Sequence, residues 1–187
     1  MYKIISVSNR ALCGDFKKRI KEITRMGIDV ILREKDLSET EYEALAKELM
    51  CPQLIMHTFA DSAKRLGCGR IHLPMSVLRK TDLSGFETVG ASVHSSEEAA
   101  EAQALGASYI TAGHIFSTDC KKGVPPRGTE FLRKVVNSVS IPVYAIGGIN
   151  AENTEKVLEA GAQGICVMSG LMQCENAEKY LKKFPRL

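Results

Sequence analysis

The chain has no CxxC pair, no block of basic residues, no long apolar run and no low-complexity linker, and each absence removes a class of protein. Its six cysteines, Cys13, Cys51, Cys68, Cys120, Cys166 and Cys174, lie far apart and read as reduced thiols of a cytoplasmic protein. The opening residues Met1-Tyr2-Lys3-Ile4-Ile5 lack the apolar core of a signal peptide, which fits the same location. The longest apolar runs, such as Ile141 to Ile149, contain glycine and proline and fall far short of the roughly 20 residues that a membrane-spanning helix needs. No membrane span is expected. The 25 Lys and Arg and 22 Asp and Glu leave a net charge of only +3, and the two signs alternate along the chain. A nucleic-acid partner is therefore not expected, whereas a small anionic ligand is.

What is present is a regular alternation. Short runs rich in Ile and Val are followed by longer amphipathic segments, the pattern of a parallel sheet covered by helices. Strands are predicted at Lys3–Val7, Asp29–Arg33, Gln53–Met56, Arg70–Leu73, Glu87–Ala91, Tyr109–Ala112, Pro142–Ile146 and Gly164–Met168. Between them, Phe16, Ile20, Ile23 and Met26 keep helical spacing up to Gly27. Ser38 with Glu41 and Ser95 with Glu98 form capping boxes. Further helices are expected over Asp61–Leu66, Met75–Arg79, Thr129–Val136, from Asn150 to Ala160, and over Glu175–Lys183. Eight units in 187 residues leave about 23 residues each, the lower edge for a (β/α)8 TIM barrel. A doubly wound open sheet would leave two of the strands unplaced. The reading is one α/β domain over residues 1–187, a single small (β/α)8 barrel.

In such a barrel the chemistry lies at the C-terminal strand ends, with phosphate held after the last two strands. Gly147 and Gly148 after strand seven, and Ser169 and Gly170 after strand eight, allow backbone amides to approach a phosphate closely. Tight turns alone would also use these glycines. His114 follows strand six, where an imidazole can take and return a proton near neutral pH. It opens the longest irregular stretch, Gly113 to Gly128, which contains Thr118-Asp119-Cys120-Lys121-Lys122-Gly123. Arg33 and Lys35 end strand two with period-two spacing, so both side chains suit an anion in the barrel mouth, unless Lys35 belongs to a surface run. His57, His72 and His94 also fall near the rim. Few carboxylates accompany them, so no metal site is expected, and Cys68 and His72 read as core or rim residues.

Several segments resemble the family that contains thiamine phosphate synthase and the TenI-type thiazole tautomerases. They are Leu32-Arg33-Glu34-Lys35, Ile71-His72-Leu73-Pro74, Ser92-Val93-His94-Ser95, Gly113-His114-Ile115-Phe116, Thr118 to Gly123, Ala145 to Ile149, and Val167-Met168-Ser169-Gly170. The resemblance implies a barrel that binds a thiazole phosphate, with Ser92, Thr118 and Lys121 joining Arg33 and Lys35 around the substrate, and a small homo-oligomer. The synthase branch handles a magnesium diphosphate, yet its pattern of Gln, Asn-Asp and Asp is replaced here by Ile31, His57-Thr58 and the carboxylate-free run Pro74 to Leu78. The tautomerase branch has histidine at the position of His114. The leading expectation is accordingly a thiazole tautomerase, an isomerase that uses His114 as its acid/base group and needs no cofactor. Two alternatives remain open. One is thiamine phosphate synthase, which would use Mg2+. The other is a non-catalytic thiazole phosphate-binding regulator.

Overall fold

In the computed structural model, which describes residues 2–121 and 123–185, eight parallel strands follow one another around a closed barrel in chain order. They are β1 (Lys3–Val7), β2 (Asp29–Leu32), β3 (Leu54–His57), β4 (Arg70–Pro74), β5 (Thr88–Val93), β6 (Tyr109–Gly113), β7 (Val143–Ile146) and β8 (Gly164–Val167). Closure is made by β8 against β1, with Lys3 opposite Gly164 and Ser6 opposite Val167. The helices are α1 (Phe16–Arg25), α2 (Glu39–Leu49), α3 (Ala60–Arg65), α4 (Met75–Leu78), α5 (Ser96–Ala104), α6 (Gly128–Asn137), α7 (Thr154–Glu159), α8 (Ser169–Gln173) and α9 (Ala177–Leu181). The (β/α)8 architecture read from the alternation is therefore present. None of the helices among the described residues is long and apolar enough to cross a membrane.

Local signals explain most boundaries. The Asp15 carboxylate accepts from the Lys18 N–H at the start of α1, and Gly27 ends the segment at φ +76°, the left-handed geometry that favours glycine. Ser38 and Glu41 form the expected reciprocal capping box on α2. Most strand ends lie within a residue or two of the sequence reading, and three differences bear on the site. Strand β2 stops at Leu32, so Arg33 lies just beyond it. Helix α7 starts at Thr154, because the Asn150 Oδ1 accepts from the N–H groups of Glu152 and Asn153 and holds 150–153 in a turn. The last helix is shorter than expected, because Asn176 caps α9 by accepting from the Lys179 N–H at 2.8 Å, and an additional helix, α8, begins directly at Ser169 before it.

Apolar side chains fill two cores. The larger lies between strands and helices and includes Ile4, Val30, Leu54, Ile110 and Ile165. The smaller fills the barrel interior with Ile5, Val7, Ile31, Ile55, Tyr109, Tyr144 and Cys166. At the N-terminal end of the barrel, Asp29 accepts from Lys3 Nζ at 2.7 Å and from both Arg70 guanidinium nitrogens at 2.6 and 2.8 Å. The interior turns polar towards the other end, where His57, His72 and Thr111 are buried. That end is the mouth.

Candidate active site

The loop after β2 is built on a buried carboxylate. Glu34 is 3% exposed, and it accepts the Ser8 hydroxyl at 2.5 Å and the Arg10 N–H at 3.0 Å, while Ser8 Oγ accepts the Arg33 N–H at 2.8 Å. Sequence reasoning left Ser8 and Glu34 out, since a Glu within Arg33-Glu34-Lys35-Asp36 looks like a surface charge. Both oxygens are taken by the chain, so Glu34 fixes the loop and leaves the neighbouring cations free. Arg33 is half-buried and Lys35 exposed. The Arg33 charge, then burial, then the Lys121 charge hold the Lys35 ammonium below its ordinary pKa. Lys121 belongs to the loop after β6, and in an eight-stranded barrel closed in chain order β6 stands opposite β2. Lys121 is thus near enough for its charge to act on Lys35 from the far side of the mouth. Lys122 lies outside the described residues.

The same loop is fastened to the turn after β7. The Ile115 N–H donates to the Ile146 carbonyl and the Phe116 N–H to the Gly147 carbonyl, both at 3.0 Å. Gly147 and Gly148 have φ of +99° and +65°, and a Cβ would overlap His114 at the first and the Ser117 carbonyl at the second. Their lack of side chains is thus required by the loop lying over them. Their N–H groups donate to no acceptor among the described residues and stay available to a ligand. Ser169 is exposed at the start of α8, one strand along. Gly170 lies beneath the Tyr180 hydroxyl, so its lack of a Cβ is explained by the packing of α9. Thr118 is partly buried in this loop, where its carbonyl accepts from the Lys121 N–H at 3.0 Å. His114 is 9% exposed, with Nε2 3.2 Å from the Val124 carbonyl and its own carbonyl accepting from the Arg127 N–H. It ties two parts of the loop together.

Beneath the cations runs a ladder of uncharged polar groups. The rings of His57 and His72 stack with centroids 6.0 Å apart. Burial, then the charges of His72, Arg33 and Lys35, push the His57 pKa down to about 2, and burial followed by the Arg33 charge pushes that of His72 down to about 3. Both imidazoles are neutral at physiological pH. His57 Nδ1 is 2.6 Å from Thr58 Oγ1, and Thr58 itself has φ +69°, a left-handed geometry that strains a β-branched residue. His72 contacts Tyr109 and Ser92, whereas His94 Nδ1 donates to the Gly113 carbonyl at 3.0 Å.

A magnesium ion, which the synthase reading implies, would need hard oxygen ligands. Among the described residues no group of three or more His, Cys, Asp or Glu could hold a metal ion, and the buried Glu34 has both oxygens engaged. The residues present do not fit Mg2+ on their own, and no step below is routed through it.

Residues 4–171 match the thiamine monophosphate synthase family. Thiamine-phosphate synthase of Clostridium acetobutylicum is 35% identical over 93% of this chain and 89% of its own. Thiamine-phosphate synthase of Pyrococcus furiosus is 46% identical over 79% of this chain and 69% of its own. Among solved structures, the thiamine phosphate pyrophosphorylase from Pyrococcus furiosus superposes with a TM-score of 0.78 at 30% identity, covering 97% of this chain and 93% of that one. These relatives are transferases, and they overturn the expectation of a tautomerase and of an isomerase. That expectation leaned on His114 as a free acid/base group. In the fold its Nε2 is engaged by a loop carbonyl.

Proposed function

We propose that this chain, which belongs to the thiamine monophosphate synthase family, is a transferase that joins hydroxymethylpyrimidine diphosphate to a thiazole phosphate. The bond that forms links the two rings, and the bond that breaks releases the diphosphate. The relatives' shared activity and near full-length similarity support this reading. The observation that carries it within the fold is that Arg33, Lys35 and Lys121, whose charges act on one another at the mouth, are in none of the ion pairs between described residues. Three cations crowded together are unfavourable until an anion arrives, and a departing diphosphate is such an anion.

In this reading Arg33 supplies a planar fork of donors to the diphosphate, and Lys35 and Lys121 add point charges. The free N–H groups of Gly147 and Gly148, with the Ser169 hydroxyl, hold the thiazole phosphate. Thr118 lines the loop between the two anions, and Ser92 meets the substrate ring from below. No role as acid or base is assigned to His114. Its contacts suit a residue that keeps the loop after β6 in place.

The test is formation of thiamine phosphate by purified protein in a buffer containing Mg2+. Product is expected only when both substrates are present, with diphosphate released in equal amount. Absence of product, with both substrates saturating and the protein folded, would refute the assignment.

A further inference from the structure

The ladder below the cations contains a direction that the residue types alone do not reveal. His72 is 2% exposed and sits with Nδ1 3.0 Å from the Tyr109 hydroxyl and Nε2 2.8 Å from Ser92 Oγ. Thr111 Oγ1 lies 3.4 Å from both His72 Nε2 and Ser92 Oγ. Gly90, directly beside them on β5, has no room for a Cβ, which would overlap the Tyr109 hydroxyl and His72 Nδ1. A mid-strand glycine usually weakens a strand, so its presence here is explained by the approach of these two groups.

A neutral imidazole carries one N–H; Nδ1 has Tyr109 as its partner, and Nε2 has Ser92 at 2.8 Å with Thr111 more distant at 3.4 Å. Burial pushes the Tyr109 phenol well above its ordinary pKa, so it keeps its proton, and His72 Nδ1 is its hydrogen-bond partner among the described residues. Were Nδ1 protonated, the phenol proton would be left buried without an acceptor, which costs about 1–3 kcal/mol. The favourable arrangement has Tyr109 donating to Nδ1 and Nε2–H donating to Ser92 Oγ. The Ser92 oxygen is then an acceptor towards the interior, and Ser92 is partly exposed at the mouth. Thr111 also donates to this oxygen at 3.4 Å, so with both interior neighbours donating, the proton of Ser92 is left for an acceptor in the mouth.

We infer that Tyr109 and His72 form a hydrogen-bond relay of fixed direction that makes Ser92 a donor to an acceptor atom of the heteroaromatic substrate. His72 is a positioning residue in this scheme, since it acts through Ser92. The inference rests on the proposed transferase reading only for what occupies the mouth. The direction of the relay is a property of the free protein.

Two measurements test it. Two-bond 1H–15N correlation spectra of ligand-free protein labelled in histidine report the tautomer of His72. The expected result is a protonated Nε2 and a bare Nδ1, and a protonated Nδ1 overturns the inference whatever reaction the protein performs. Calorimetric titration with hydroxymethylpyrimidine diphosphate and with thiazole phosphate then compares the wild type with Ser92→Ala, His72→Gln and His72→Phe. Ser92→Ala and His72→Phe should each weaken one of the two ligands about tenfold, the loss of one neutral hydrogen bond. His72→Gln, whose terminal amide can still donate to Ser92, should recover most of that loss. Unchanged affinity for both ligands in Ser92→Ala overturns the inference. If the expected tautomer and affinities are found and no thiamine phosphate is formed, the transferase reading fails while the relay stands.

Discussion

The two ends of the barrel treat charge in opposite ways. At the N-terminal end Asp29 stands between Lys3 and Arg70 and accepts from both, and Arg70 Nη1 also donates to the Pro52 carbonyl at 2.6 Å. Burial raises the Asp29 pKa, but hydrogen bonds from Arg70 and Lys3 outweigh it and hold the carboxyl below its ordinary value. At the C-terminal end the charge of Arg33, then burial, then the charge of Lys121 lower the pKa of Lys35. The first end is a closed account of charge that stabilises the fold. The second is a standing excess of one sign, and such an excess persists at a site whose partner is a ligand. The contrast separates stability from function along a single axis.

The comparison is most easily broken at Arg33. Arg33→Ala should lower kcat/KM for the diphosphate substrate by about 100-fold, the order expected from losing a charge-assisted pair of hydrogen bonds, with little change in melting temperature. Steady-state kinetics and thermal unfolding measured side by side decide the matter. A variant that unfolds early but turns over normally would make the mouth cluster structural and erase the contrast.

The mirror experiment is Asp29→Asn, which should cost about 2 kcal/mol of stability because two cations lose their carboxylate, and should leave kcat/KM within about twofold. The sign of its pH dependence follows from the lowered pKa. Stability contributed by Asp29 is fully present above the ordinary carboxylate value of 3.8 and disappears as pH falls through the depressed native value. Urea unfolding between neutral and acid pH should therefore show a steeper acid loss for the wild type than for the variant. Equal slopes would mean that Asp29 is not the group that titrates.

The smallest effect lies at Lys35. Because neighbouring cations lower its pKa, an arriving anion raises it again, so binding of inorganic pyrophosphate in alkaline buffer should take up a fraction of a proton. Calorimetry in buffers of different ionisation enthalpy measures that fraction. It should shrink in Arg33→Ala, where the crowding is relieved, and an unchanged value would assign the uptake to another group.

Several features of this site were written locally and could be read so. The glycines of the turn after β7, the cations after β2 and the strand-end position of His114 follow from residue type and spacing. Glu34 was not legible, because its burial depends on Ser8 and Arg10 arriving from the end of β1. Gly170 was read as a phosphate contact, and the fold adds a packing reason for its missing side chain, the Tyr180 hydroxyl from α9. His72 read as a core residue and is one, but its core position is what joins Tyr109 to Ser92. The contact of His114 was not legible either, since the carbonyl beside its Nε2 lies ten residues further along a loop without periodicity.

Taken alone, the sequence determined the (β/α)8 barrel, the order of its strands, the N-caps Ser38 and Ser95, of which only Ser38 forms the full reciprocal box, and the end of the barrel where polar residues gather. Those properties depend on hydrophobic period and on caps only three or four residues long, so neighbouring residues suffice to specify them. Tertiary structure alone decided that the charge of Lys121 acts on Lys35 from the far side of the mouth, that Glu34 is buried, and which nitrogen of His72 carries the proton. Each of these depends on strand register and barrel closure, which set side chains from distant segments against one another within hydrogen-bonding distance.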